Sequence, residues 1–253
     1  MFSATQTLFC LSGTALGAIL PLYLIFHPHL SDPGRQRLLK AMLYSALLGI
    51  VSLWWIEPNF QLQLAGVFWL ATILAVAAYF YARPRVHPVP GAITSVLGMI
   101  MVYRSGNVIL PVESDFLVLV MNLLSGLVLT VFLVAALSSE QDGHAPTRGL
   151  WLLAALFLFG RLIWDGYQLS GGKTESRFGL AEEIHTFFNT SDWWLIGLGM
   201  ILAIGFPLLA TLVIPYSRWG QNKSGYLSRT GFFTLLAGHG ALVYFCFQYG
   251  IVF

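Results

Sequence analysis

The sequence has few charged residues and almost no cysteine, and both shortages narrow the class of protein. Only 9% of the 253 residues are Asp, Glu, Lys or Arg, while 57% are hydrophobic. Because about a quarter of the residues in a soluble domain are charged, this composition predicts an integral membrane protein. The formal net charge of +2 offers no basic surface for a nucleic acid, and no polybasic run is present.

The two cysteines, Cys10 and Cys246, both lie inside apolar runs. Two residues so far apart give neither a metal-ligand spacing nor a disulfide framework, and an iron–sulfur cluster held by this chain would lack thiolate ligands. We therefore expect both side chains to be small buried hydrophobic groups. A zinc signature, a phosphate-binding glycine loop and a Ser–His–Asp order are also missing from the sequence.

Long apolar runs fill most of the chain. A bilayer-spanning helix needs about 20 mostly apolar residues. Eight stretches meet this requirement: 6–26, 37–56, 61–81, 91–110, 115–137, 149–169, 193–216 and 229–252. The first follows no basic segment, so it is interpreted as a span rather than as a cleaved signal. The sequence thus predicts an all-α integral membrane fold, an eight-helix transmembrane bundle in a single domain over residues 1–253.

The distribution of lysine and arginine predicts the orientation of these spans. Nine of the 13 basic residues lie in the odd-numbered connectors or the adjoining helix ends, and three lie in the even-numbered ones. Since basic connectors remain in the cytoplasm, both termini are predicted on the outer side, which is the periplasm in a Gram-negative cell. We expect a multi-pass protein of the inner (cytoplasmic) membrane.

The sixth span ends in "GRLIWDGYQL", which places Arg161 and Asp165 four residues apart in a membrane helix. Residues with this spacing share a helical face and can pair. A lone charge in lipid costs a few kcal/mol on insertion scales, so the shared face is expected to point into the protein and line a site in the outer half of the membrane. The alternative is an interfacial pair whose side chains snorkel to the headgroups.

Other polar residues are predicted at a similar depth. Glu57 ends the second span, and Tyr103 and Arg104 lie near the end of the fourth. His239 lies near the middle of the eighth span, where a histidine is either a hydrogen-bonded core residue or a functional one. Glu57, Tyr103, Arg104 and His239 therefore join the sixth-span pair as candidate site residues.

Histidine usage bears on the cofactors this chain could carry. Of the six histidines, only His239 lies well inside a span, whereas a bis-histidine haem needs two at one depth. We expect no haem and no metal site. A quinone site fits the remaining set, because it needs an apolar cleft, a few polar groups and acceptors for two protons. The alternative use of the same residues is a small secondary transporter or channel with an Arg161–Asp165 gate.

Three stretches carry a likeness to a known family. "GRQRLLKAMLYSALLGIVSLWW" resembles its first cytoplasmic loop and second helix, and "MVYRSGNVILPVES" resembles its Tyr-Arg motif with a following proline, matched here by Tyr103, Arg104 and Pro111. The long connector over residues 170–192 also falls where the family has one. On these features the chain resembles the membrane-anchor subunit of bacterial dimethyl sulfoxide reductase and its relatives.

The resemblance implies a function in anaerobic respiration. Such a subunit anchors an iron–sulfur electron-transfer subunit and a molybdopterin catalytic subunit, and carries no haem. It oxidises menaquinol on its outer side and passes the electrons to the iron–sulfur subunit. The long outer connector is the expected docking surface for that partner, and its acidic residues Glu182 and Glu183 are the candidate contacts.

The chain departs from the family pattern at two places. After the second helix it reads "IEPNF", where the family has a histidine-containing turn. In the last helix Gly238 precedes His239, where relatives often have a Gly-Glu pair and a later arginine. One hypothesis is that Glu57 and His239 replace the missing groups. Another is a structural anchor that has lost its quinone site.

Overall fold

The computed structural model describes residues 4–27, 30–56, 59–82, 87–109, 115–138, 146–169 and 193–249. Within these ranges all regular secondary structure is helical. This confirms the predicted all-α class.

Six helices fill the first part of the chain: α1 (Ala4–Phe26), α2 (Asp32–Ile56), α3 (Phe60–Ala82), α4 (Pro88–Ile109), α5 (Asp115–Leu137) and α6 (Arg148–Leu169). After residue 192, α7 (Trp193–Met200) continues through a π-helical turn (Ile201–Gly205) into α8 (Phe206–Tyr216). The short α9 (Arg218–Asn222) then leads into the long α10 (Ser224–Tyr249).

Six helical segments among the described residues are long and apolar enough to cross a membrane: Ala4–Phe26, Asp32–Ile56, Phe60–Ala82, Leu119–Leu137, Arg148–Tyr167 and Trp193–Tyr216. They are typical of a multi-pass membrane protein. The predicted fourth and eighth spans correspond to α4 and α10, which have 22 and 26 residues. Both are long enough for a bilayer, but they are not among the six segments identified in the described residues. Eight spans and the side of the termini stay predictions.

The chain divides into two compact units, Met1–Pro146 with α1–α5 and Thr147–Phe253 with α6–α10. In the first unit α1 is the central helix. In its most apolar stretch 78% of the residues are buried, against 33% in the corresponding stretch of α3. Helices α2, α4 and α5 all pack on it. The organisation of the whole chain as one transmembrane domain stays a prediction.

Glycines allow α1 to be packed so closely. A Cβ atom added to Gly13 would lie 2.6 Å from the backbone nitrogen of Gly49 in α2. One added to Gly126 in α5 would lie 2.7 Å from the Ala15 Cβ. Small residues bring membrane helices into backbone contact, which increases their van der Waals attraction. At these positions the glycines therefore serve helix packing.

The start of α2 carries two arginines with different contacts. Arg35 pairs with Asp32, whose side chain is 80% exposed. Arg37 Nη1 donates a hydrogen bond of 3.1 Å to the Leu137 carbonyl oxygen in the last turn of α5. A cation at that position satisfies a free carbonyl group and interacts favourably with the helix dipole.

In the second unit, the π-helical turn is the distinctive feature. The Phe206 N–H donates to the Ile201 carbonyl, five residues earlier rather than four. The next residue, Pro207, has no N–H to donate, so the regular ladder is interrupted there, and a wider turn is one way that a helix accommodates such an interruption. Helix α6 packs on the π turn and α8, and α10 packs on α7, the π turn and α8.

Candidate functional site

The candidate site begins with the buried face of α6. Most of this face is apolar, with Trp151, Ala154 and Leu158 at most 2% exposed. At helical spacing the same face continues with Arg161 and Asp165. The two charged residues thus continue the buried face of α6 beyond its apolar part, toward the end of the helix.

Arg161 and Asp165 form an ion pair within α6. Arg161 Nε lies 3.5 Å from Asp165 Oδ2, and the two side chains are 6% and 0% exposed. This burial agrees with the expectation that their face points into the protein, and it does not fit a pair that snorkels to the headgroups. Breaking a buried pair leaves an uncompensated charge, so loss of this contact should lower the stability of the protein whatever the function of the pair.

A third group reaches the pair from α10. Arg161 Nη1 lies 3.3 Å from Nδ1 and 3.4 Å from Nε2 of His239, which is itself only 9% exposed. A guanidinium group can only donate hydrogen bonds, so the imidazole accepts through the ring nitrogen that has a lone pair. The other ring nitrogen then carries hydrogen. The structure therefore brings together Arg161, Asp165 and His239, which we call the polar cluster.

One atom of the polar cluster is left without a partner. Asp165 Oδ1 is buried and has no hydrogen-bond partner among the residues that the structure describes. A buried acceptor without a donor costs free energy, so buried polar atoms are nearly always satisfied by protein, water or a ligand. Asp165 Oδ1 is thus a buried acceptor whose donor the described residues do not supply.

Of the other predicted site residues, two belong to the first unit and three lie outside the described residues. Tyr103 is half-buried and Arg104 is exposed near the end of α4, in the first unit. Glu57 and the docking candidates Glu182 and Glu183 lie outside the described residues. A quinol-binding or docking function for these five residues stays a prediction.

The polar cluster can exchange hydrogen bonds and protons. It contains one carboxylate and one imidazole, and among the described residues no group of three or more His, Cys, Asp or Glu side chains could hold a metal ion. The imidazole and the carboxylate can each accept a proton, and Arg161 supplies a fixed positive charge beside them. The cluster therefore holds groups that can take part in proton transfer.

Sequence reasoning missed two features near the cluster. It did not identify the π turn, although Pro207 signals a distortion in the seventh span. It also noted Gly238 only for its departure from the family pattern, whereas a Cβ added there would lie 2.2 Å from the backbone nitrogen of Ala203 in the π turn.

Comparison with known proteins gave no relative for this chain. No family model matches the sequence; no curated protein and no solved structure matches it significantly.

Proposed function

We propose that this chain is the membrane-anchor subunit of a molybdopterin oxidoreductase complex and oxidises menaquinol at the polar cluster. The proposal has two supports. One is the buried contact among Arg161, Asp165 and His239. The other is the resemblance of the second and fourth helices to the anchor subunit of dimethyl sulfoxide reductase. In this proposal α4 and α10 also span the membrane, and both termini are outside.

The observation that carries the proposal is the buried Asp165 Oδ1, which lacks a partner among the described residues. An ionised carboxylate can only accept hydrogen bonds. It therefore favours a ligand oxygen that bears hydrogen, as in a quinol, over a quinone carbonyl oxygen, which can only accept. This preference matches an oxidation that begins from the reduced form.

The chemistry assigns a function to each member of the cluster. Oxidation converts a quinol to a quinone and releases two protons and two electrons. Asp165 and His239 accept the protons as general bases. Both side chains contact Arg161. The Arg161 guanidinium stabilises negative charge on the ligand oxygen as its hydrogen leaves. The iron–sulfur clusters of the proposed partner subunit would receive the two electrons, and the molybdopterin subunit would use them to reduce the terminal acceptor.

The competing function is a small secondary transporter or channel with an Arg161–Asp165 gate. Many secondary transporters are built from two internal repeats related by a pseudo-twofold axis. In the described ranges the first unit holds the five helices α1–α5, and the second holds α6, α10 and the segment formed by α7, the π turn and α8. This division gives the transporter no support.

Purification of the tagged chain from its native membranes tests the proposal. We expect iron–sulfur and molybdopterin subunits to remain bound, with iron and molybdenum in the complex. We also expect the isolated chain to lack the b-type α band in a reduced-minus-oxidised spectrum. A chain that purifies alone and catalyses solute flux in vesicles would support the transporter instead.

A further inference from the structure

His239 follows Gly238, the glycine with one of the closest backbone approaches in the second unit. A Cβ atom on Gly238 would lie 2.2 Å from the Ala203 backbone nitrogen, 2.6 Å from its Cα and 2.7 Å from its Cβ. Ala203 is fully buried in the π turn. Only a residue without a side chain allows α10 to lie this close to the turn.

This contact fixes the position of α10 where the histidine projects from it. Ordinary van der Waals contact begins at 3.4 Å, so any larger residue at position 238 must displace α10 from the turn by roughly 1 Å. The Arg161–His239 contact is already 3.3 Å long. A hydrogen bond of that length does not survive a further 1 Å of separation.

The π turn also determines which backbone atoms Gly238 meets. A π-helical turn offsets the residues before it relative to those after it, and such turns often occur at functional sites. Here the turn packs on α10 and also on α6, the helix that carries Arg161 and Asp165. The turn thus contacts both helices that contribute to the polar cluster.

We propose that Gly238, seated against Ala203 of the π turn, is a positioning residue that holds His239 against Arg161. This inference concerns the geometry of the cluster, so it holds whether or not the ligand is a quinol.

The test is nuclear magnetic resonance of the full chain in lipid with its histidines labelled by ¹⁵N. The His239→Gln variant identifies the two ring-nitrogen signals of His239, and Arg161→Met shows where they lie when the arginine is absent. We expect Gly238→Ala to move these signals to their Arg161→Met positions. Gly225→Ala is the matched control on the same helix, because a Cβ there meets nothing within 4 Å, and it should leave the signals unchanged.

A second variant covers the case in which Gly238→Ala does not fold. Ala203→Val enlarges the opposite side of the same contact and should move the His239 signals in the same direction. Unchanged His239 signals in a folded Gly238→Ala protein, or in Ala203→Val where the first variant is unfolded, would overturn the inference. Because this readout needs no quinol, it separates failure of the positioning from failure of the proposed function.

Discussion

Replacing Arg161 with methionine is expected to lower the free energy of unfolding by about 3–5 kcal/mol, the cost of breaking a buried ion pair. Methionine keeps much of the apolar stem, so the change removes mainly the charge. Asp165 is 0% exposed, and its Oδ1 already lacks a partner among the described residues. Loss of Arg161 also removes the contact at Oδ2, so the charge of Asp165 is no longer compensated by the arginine.

The complementary change, Asp165→Asn, keeps the shape of the side chain and removes the negative charge that lies 3.5 Å from Arg161 Nε. This change also breaks the buried pair, so the expected loss is again about 3 kcal/mol. The double variant Arg161→Met/Asp165→Asn contains neither charge of the pair. It should therefore be less destabilised than the sum of the single variants, by about 1–3 kcal/mol.

Reversible unfolding in mixed detergent micelles, followed by circular dichroism, measures the free energy of unfolding of the wild type, the two single variants and the double variant. Asp32→Asn is the matched control, because it breaks the Asp32–Arg35 pair, in which the aspartate is 80% exposed. That change should cost no more than about 1 kcal/mol. If Arg161→Met and Asp165→Asn cost as little as this control, the pair is not buried in the membrane protein and the reasoning fails.

Three further predictions concern packing, sidedness and docking. Gly13→Ala should destabilise the chain by about 1–3 kcal/mol in the same assay, because its Cβ would lie 2.6 Å from the backbone nitrogen of Gly49. Gly66→Ala should be tolerated, because the nearest atom to its Cβ would be 3.7 Å away. Equal losses of stability in the two variants would contradict the close contact of α1 with α2. A reporter fused to the C-terminus should be active only as a periplasmic type, from the basic asymmetry of the connectors; cytoplasmic activity would reverse the orientation. Charge reversal at Glu182 and Glu183 should reduce retention of the iron–sulfur subunit on membranes, measured by immunoblotting; unchanged retention would leave that segment as a simple connector.

The parts of the site that sequence predicted are those that depend on one helix alone. The spacing of Arg161 and Asp165 places them on a common face, and the cost of a charge in lipid turns that face inward. The structure has both side chains buried and 3.5 Å apart. The length of the apolar runs also located the long helices to within a few residues.

The contact of His239 with Arg161 could not be predicted in this way. It depends on how far α10 is translated and rotated against its neighbours, which is determined by the approach of Gly238 to Ala203. The sequence contains both small residues but not their pairing. Pro207 likewise indicates a distorted helix, but whether the distortion is a kink or a π turn depends on the packing around it.

The sequence also could not predict that Asp165 Oδ1 lacks a hydrogen-bond partner among the described residues. Whether a buried atom finds a partner depends on how the helices pack together. Sequence offered six candidates for the polar site without distinguishing among them. Tertiary packing joined three of them, Arg161, Asp165 and His239, into a cluster.

The rate at which menaquinol reduces the partner's iron–sulfur clusters tests the central claim most directly. Membranes with matched subunit levels are mixed with menaquinol, and cluster reduction is followed by electron paramagnetic resonance. Loss of a general base usually slows proton transfer by about 10²-fold or more, so His239→Gln and Asp165→Asn should each reduce the rate by at least that factor. Asp32→Asn should match the wild type. Near-normal rates in both cluster variants would contradict quinol oxidation at Arg161, Asp165 and His239.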